Sequence, residues 1–201
     1  MMNETLKRAL SGAVYVAVMW IGTSFSYLSF VILFSIITIV STYEMWKLHK
    51  GKNALLSYFY VWLLLLVLTL KQDLILFLFI LTWTFDTFAY LFGVRFGKTK
   101  IMPSISPRKS WEGFAGGFIF TIIAAHLAHT YFGFTSLFEP LIISIVLPFT
   151  ATLGDFIESA YKRKAGVKDS GNFIPGHGGM LDRMDAFMIT IPVIYILTYL
   201  L

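Results

Sequence analysis

Nearly uncharged apolar runs about 20 residues long recur along this chain, separated by short connections that carry most of its charge. A helix rises about 1.5 Å per residue, so each run can reach across the roughly 30 Å hydrocarbon core of a bilayer. In lipid, a single run of this kind satisfies its backbone N–H and C=O groups only as a helix. The expected fold is therefore all-α, a polytopic membrane protein of about seven transmembrane helices. They lie at roughly 6–22, 26–47, 54–70, 73–93, 112–133, 136–158 and 183–201. Composition agrees: 57% hydrophobic residues, 20 Phe among them, exceed what a soluble chain of 201 residues would carry. Residues 1–201 read as a single integral membrane domain, with N-terminal helices over 6–93 and a motif-bearing half over 94–201. Lys7 and Arg8 precede the first run as they would in a signal peptide, but no small-x-small cleavage site follows, and the run is read as a retained helix.

The connections set the topology. Two of the 16 Lys and Arg precede the first helix, three lie at 47–52, five at 95–109 and five between Lys162 and Arg183; only Lys71 falls elsewhere. The positive-inside rule then predicts a multi-pass protein of the cell inner (plasma) membrane, with the N-terminus and three basic loops cytoplasmic and the C-terminus outside. The formal charge of +5 reflects that loop bias and points to membrane lipid, not to nucleic acid. With no cysteine, disulfides and thiolate chemistry are excluded, and any metal needs oxygen or histidine ligands. Chemistry is confined to helix ends and to the loops 94–111 and 159–182.

Asp86, Glu112, Asp155, Glu158 and Asp185 lie within or at the ends of the last four helices. A carboxylate in hydrocarbon costs several kcal/mol, so each must face a partner, water or a metal. Glu112 and Glu158, taken singly, read as helix-end residues reaching the interface. Asp86 does not, because thirteen residues of its predicted helix precede it. Asp155, Glu158, Ser159 and Lys162 stand at i, i+3, i+4 and i+7, on one helical face, and Asp182 and Asp185 repeat the i, i+3 spacing at the start of the last helix. Two such clusters can converge on a hard cation; salt bridging with Lys162 and Arg183 is the equally weighted alternative.

The loop from Lys162 to Gly179 brings Lys162, Arg163, Lys164 and Lys168 together with a Pro175-Gly176-His177-Gly178-Gly179 turn. Cations and exposed backbone N–H groups of this kind suit a triphosphate. In the other loop, Ser106, Lys109 and Ser110 precede a helix start, where a phosphate can be seated; Ser110 is also a natural N-cap for that helix.

The run Ser159-x-x-Lys162-Arg163-x₄-Lys168-Asp169-x-Gly171-x-x-Ile174-Pro175-Gly176-His177-Gly178-Gly179-x-x-Asp182-Arg183-x-Asp185 resembles the signature of phosphatidate cytidylyltransferases, or CDP-diacylglycerol synthases. Asp86-x-x-Ala89-Tyr90-x-x-Gly93-x-x-x-Gly97 and Ser106-Pro107-x-Lys109-Ser110-x-Glu112-Gly113 are similar to a second block of that family, so the resemblance covers roughly 80–201. The first 80 residues match only in hydropathy. Tyr161 replaces the family's usual aliphatic residue, and seven helices stand where bacterial members commonly have eight or nine.

The resemblance implies transfer of the cytidylyl group of CTP (or dCTP) to phosphatidic acid, giving CDP-diacylglycerol and pyrophosphate, with Mg²⁺ as cofactor held by Asp155 and Asp182. It assigns Asp185 a supporting role. Lys168, Lys162, Arg163 and Arg183 become phosphate-neutralising residues, Ser106, Lys109 and Ser110 a phosphate seat, and Ser159 and Asp86 complete the substrate-binding set. His177 fits a phosphate ligand or loop organiser better than a base, because a substrate phosphate is already anionic near neutral pH. A homodimer remains compatible with the sequence. The alternatives are another CTP-dependent lipid enzyme, such as a polyprenol kinase or a cytidylyltransferase for ether or isoprenoid phosphates, and a transporter or channel. Against transport, the polar residues gather at one face and no inverted repeat is visible.

Overall fold

Seven helical segments form where the apolar runs lie, in a computed structural model that describes residues 4–50, 55–174, 176 and 178–200. They are α1 (Glu4–Ser24), α2 (Tyr27–Leu48), α3 (Leu55–Trp62, continued by a 3₁₀ segment Leu63–Thr69), α4 (Gln72–Phe96), α5 (Trp111–Ala128), α6 (Phe138–Ala165) and α7 (Leu181–Leu200). The protein is all-α and polytopic. Five helices, α2 and α4 to α7, are long and apolar enough to cross a membrane, and Leu10–Ser24 and Leu55–Thr69 are shorter apolar stretches. The change to 3₁₀ geometry after Trp62 lengthens the third segment, because that helix rises about 2.0 Å per residue; the pair reaches about 26 Å, close to a full span.

The structure departs from the expected boundaries in three places. Between α4 and α5 an antiparallel hairpin replaces the expected irregular loop, with β1 (Lys100–Met102) paired to β2 (Ser106–Ser110). The second difference is that α5 stops at Ala128, short of residue 133. Finally, α6 continues past residue 158 to Ala165, because Lys162, Arg163 and Lys164 suit the negative end of a helix and Gly166, at φ +73°, terminates it.

The buried run Leu74 to Phe79 makes α4 the centre of the bundle, packed against α1, α5 and α6, while α7 packs against α6, α2 and the 3₁₀ segment. The crossing of α6 and α7 positions the site. A Cβ on Gly154 would run into the carbonyl of Asp185, so the two backbones touch there, as small residues permit in membrane bundles. The Tyr60 hydroxyl reaches both carbonyls at this crossing, Gly154 O at 3.1 Å and Asp185 O at 3.4 Å. Farther along the same pair of helices, the hydroxyls of Thr150 and Thr190 bond at 2.9 Å. Outward-facing Ile36 and Ile39 on α2, and Ile119 and Ile123 on α5, are exposed large hydrophobics, as a lipid-facing surface requires.

Candidate active site

One end of the bundle collects the end of α2, the hairpin, the end of α6 and the start of α7. The rings of His49 and Tyr161 meet at a tilt of 58° with centres 5.5 Å apart, and Arg163 Nη1 donates to Val167 O while its Nε reaches Ile105 O at the hairpin. The hairpin ends in a cap: Ser110, with extended φ of −130° and 2% exposed, accepts from Gly113 N at 3.2 Å and starts α5. Glu112 accepts from the backbone N–H groups of Lys98 and Thr99, which ties the hairpin's first strand to that helix. Glu112 therefore has the structural role read from its helix-end position.

The hairpin delivers Lys109 to α6. Its ammonium pairs with Asp155 and lies 5.3 Å from the centre of the Phe156 ring. One turn on, the ammonium of the buried Lys162 stands between Glu158, at 2.5 Å, and Asp182 on α7, at 2.7 Å. Glu158 has no exposed surface, so it faces inward and does not reach the interface as its position near the expected helix end suggested. Asp182 is more fully engaged: besides Lys162 on Oδ1, its Oδ2 accepts from Ser170 N (2.9 Å), Ser170 Oγ (3.0 Å) and Gly179 N (2.7 Å). The salt bridging weighed for Lys162 is thus present, while Asp155 takes its lysine from the hairpin.

Two cavities flank these pairs. The first, about 200 Å³, is lined by apolar Phe85, Ala89, Ile101 and Phe114 together with Asp86, Arg108, Lys109 and Ser110. The second, about 90 Å³, is lined by Asp86, Asp182, Arg183 and Asp185 with Tyr15 and Trp83. Asp86 belongs to both, which is why it is accessible although it lies deep in α4. The geometry can accept an amphipathic anion beside the lysine-bearing hairpin and a second polyanion or cation beside the three aspartates, with Asp86 in the shared wall.

Of the sequence-derived residues, Asp86, Lys109, Ser110, Asp182, Arg183 and Asp185 line these cavities, and Asp155 and Lys162 pair with lining residues. Lys168 is exposed on the loop, Arg163 turns toward the hairpin, and Ser106 and Ser159 are half-buried beyond the cavity linings given above. His177 and Pro175 lie outside the described residues. Sequence reasoning did not find Glu44, Tyr60 or Ser170. Glu44 had a visible signal, an acidic residue near the end of a long apolar run, of the kind that singled out Asp86.

A model of the cytidylyltransferase family matches residues 71–201. Relatives named phosphatidate cytidylyltransferase include one from Staphylococcus saprophyticus, 48% identical over 124 residues, which make up 61% of this chain and 48% of that protein. A second, from Thermotoga maritima, is 47% identical over 121 residues, 57% of this chain and 45% of the relative. A third, from Staphylococcus aureus strain COL, is 47% identical over 125 residues, again 61% of this chain and 48% of the relative. The matched part of the chain thus spans about half the length of these relatives. With the family model covering both the hairpin and the α6–α7 cluster, the chain belongs to the cytidylyltransferase family.

Proposed function

We propose that this protein joins CTP to phosphatidic acid, releasing pyrophosphate and leaving CDP-diacylglycerol in the membrane. The observation that carries the reading is the pair of cavities sharing Asp86: one is cationic at its rim and apolar in its lining, the other is carboxylate-rich with Arg183 in its wall. A lipid phosphate has its charged head beside its hydrocarbon, which the first matches, and a nucleotide polyphosphate needs cationic neutralisation, which Arg183 in the wall of the second and the exposed Lys168 of the loop can supply. The names of the relatives make phosphatidate the first acceptor to test.

In the reaction, a phosphate oxygen of phosphatidate attacks the α-phosphorus of CTP. The new P–O bond forms as the bond from that phosphorus to the bridging β-phosphate oxygen breaks, and pyrophosphate leaves with that oxygen. The attacking group is already anionic, so no protein base is needed, and positioning and charge stabilisation dominate. Lys109, Arg108 and Ser110 hold the acceptor phosphate; Lys162, already between Glu158 and Asp182, keeps the α6 and α7 carboxylates together.

Mg²⁺ fits the residues present. Its preferred ligands are a few carboxylates plus substrate phosphates, not a complete protein cage, and no group of three or more such side chains stands in ligating geometry among the described residues. The donors near α6 and α7 are all hard oxygens, and Glu158 Oε1 is buried with no hydrogen-bond donor among the described residues. Asp155 and Asp182 would hold the ion, with Asp185 supporting them. When bound, it would neutralise charge on the polyphosphate and polarise the reacting phosphorus. The charge distribution of the loops supports a cytoplasmic site, N-terminus and basic stretch 47–52, with the C-terminus outside.

Release of labelled pyrophosphate from CTP by the purified protein, with phosphatidate present and absent, tests the activity. Acceptor-dependent release is expected; release with a polyprenol or isoprenoid phosphate but not with phosphatidate would reassign the lipid, and none with any lipid phosphate would refute the reading.

A further inference from the structure

Glu44 belongs to α2, outside the stretch matched by the family model, yet it is 4% exposed and its carboxylate enters the signature loop. Its Oε2 accepts from Leu181 N at 2.7 Å and from Ser170 Oγ at 3.1 Å, and its Oε1 from Met180 N at 3.1 Å. Met180 and Leu181 open α7, so Glu44 satisfies N–H groups that the helix itself leaves without partners, and its charge sits at the positive end of the helix dipole.

The same carboxylate explains two glycines of the signature. A Cβ on Gly171 would collide with Glu44 Oε1, and a Cβ on Gly179 would collide with Ser170 Oγ and with both Glu44 oxygens. Their lack of a side chain is the space the glutamate occupies. The Ser170 hydroxyl stands between Glu44 and Asp182, 3.1 Å from Glu44 Oε2 and 3.0 Å from Asp182 Oδ2, and its single proton is shared between the two carboxylates. Asp182 Oδ1 in turn meets Lys162.

We propose that Glu44 is a positioning residue for Asp182: a tertiary cap, supplied by the N-terminal helices, that fixes the signature loop and the first turn of α7 through Ser170, Met180 and Leu181. The proposal rests on the reading of Asp182 as part of the transferase site. Removing the charge leaves the donors of Leu181 and Ser170 poorly paired and frees Asp182 to rotate away from Lys162.

Glu44→Gln tests it, because an amide keeps the size and loses one acceptor oxygen. Turnover of CTP with phosphatidate is compared at a temperature well below the variant's own unfolding midpoint, where all of it is folded. The expected result is a fall in kcat of about tenfold or more, with KM for phosphatidate unchanged and a higher Mg²⁺ concentration needed for half-maximal rate. A merely structural residue would lower the unfolding midpoint and leave folded enzyme with normal kcat and normal Mg²⁺ response; that result would overturn the proposal. Should Glu44→Gln not fold, Ser170→Ala removes only the linking hydroxyl, and a kcat within twofold of wild type in that variant would equally overturn it. Amide exchange supplies a readout apart from activity. Exchange at Met180 and Leu181 should quicken in Glu44→Gln, and unchanged exchange there refutes the cap, whether or not the wild-type chain transfers cytidylyl groups.

Discussion

The helices before residue 70 and those after it contribute to the same site in opposite ways. From α4 onward the chain supplies most of the charge: Asp86, Lys109, Asp155, Glu158, Lys162, Asp182, Arg183 and Asp185 all come from α4, the hairpin, α6 and α7. The earlier helices supply single groups whose partners are mostly backbone. Glu44 accepts from the first N–H groups of α7, and Tyr60 donates at the carbonyls where α6 crosses α7. Side chains that meet substrate must keep a fixed chemistry. Side chains that hold backbone need only reach it, so the first kind leaves a motif and the second leaves one polar residue in an apolar run.

If this division is right, the largest losses of function come from the later region. Asp155→Asn and Asp182→Asn should each lower cytidylyl transfer by about 10²–10³-fold, since an amide cannot supply the anion a hard cation needs. Chelation of divalent ions should abolish activity in the wild type, and added Mg²⁺ should restore it. The competing account, in which these aspartates only balance lysines, makes a different prediction: Asp155→Asn/Lys109→Met, which removes both partners of that pair, should recover stability and activity together. Recovered activity in that double variant would mean that the later region, too, is scaffold at this point.

Next in size is Lys109→Ala. It removes a cation from the apolar cavity and leaves Asp155 without its lysine. A lost charge-assisted contact of roughly 1.5–3 kcal/mol corresponds to about ten- to a hundredfold in kcat/KM. The loss should fall on the lipid acceptor more than on CTP, and an equal effect on both substrates would break the assignment of the two cavities. Lys71→Ala, in the connection before α4, should leave both constants unchanged.

How much of this was legible follows from periodicity and chemistry. The seven segments could be read because apolar length is a direct measure of span, and Asp86, Asp155, Asp182 and Asp185 because a carboxylate in such a run demands a reason. The hairpin was not legible. Lys100 to Ser110 alternates no apolar face, and its ends are tied to the following helix by Glu112, which accepts from Thr99 N, and by Ser110, which caps that helix. Nor could spacing show which lysine meets which aspartate: Lys162 was placed correctly on the face of Asp155, yet Asp155 pairs with Lys109, 46 residues away. Glu158 lies where the apolar run predicts the end of α6, but the helix continues to Ala165 and Glu158 is buried within it. Glu44 and Tyr60 act over 94 residues or more of sequence separation, which no local pattern records.

Smaller effects sharpen the comparison between regions. Tyr60→Phe deletes the hydroxyl that α3 extends to Asp185 O and to the carbonyl of Gly154, which directly precedes Asp155. The backbone carbonyls stay in their helices, so the stability cost should be about 0.5–1.5 kcal/mol, read as a lowered unfolding midpoint in detergent. If the early helices do steady the crossing, kcat should also fall, by severalfold and not by orders of magnitude. Full activity in Tyr60→Phe would confine the contribution of the early helices to the Glu44 contact.

The smallest expected effect belongs to Thr150 and Thr190, which join the same two helices farther from the aspartates. Each hydroxyl also reaches a carbonyl of its own helix, Leu147 O for Thr150 and Ala186 O for Thr190. Hydrogen bonds between membrane helices average only about 0.6 kcal/mol by double-mutant cycle, because the separated helices find such partners too. Thr150→Val and Thr190→Val should therefore each lower stability by about that much, and the double variant by scarcely more than either single one, since valine keeps the shape and both partners leave together. Activity should stay at the wild-type level in all three. Additive losses would show that the hydroxyls act only within their own helices. A fall in kcat without a fall in stability would show instead that the α6–α7 crossing transmits strain to Asp155 and Asp185 along its whole length, and that its control is not localised at Gly154 and Tyr60.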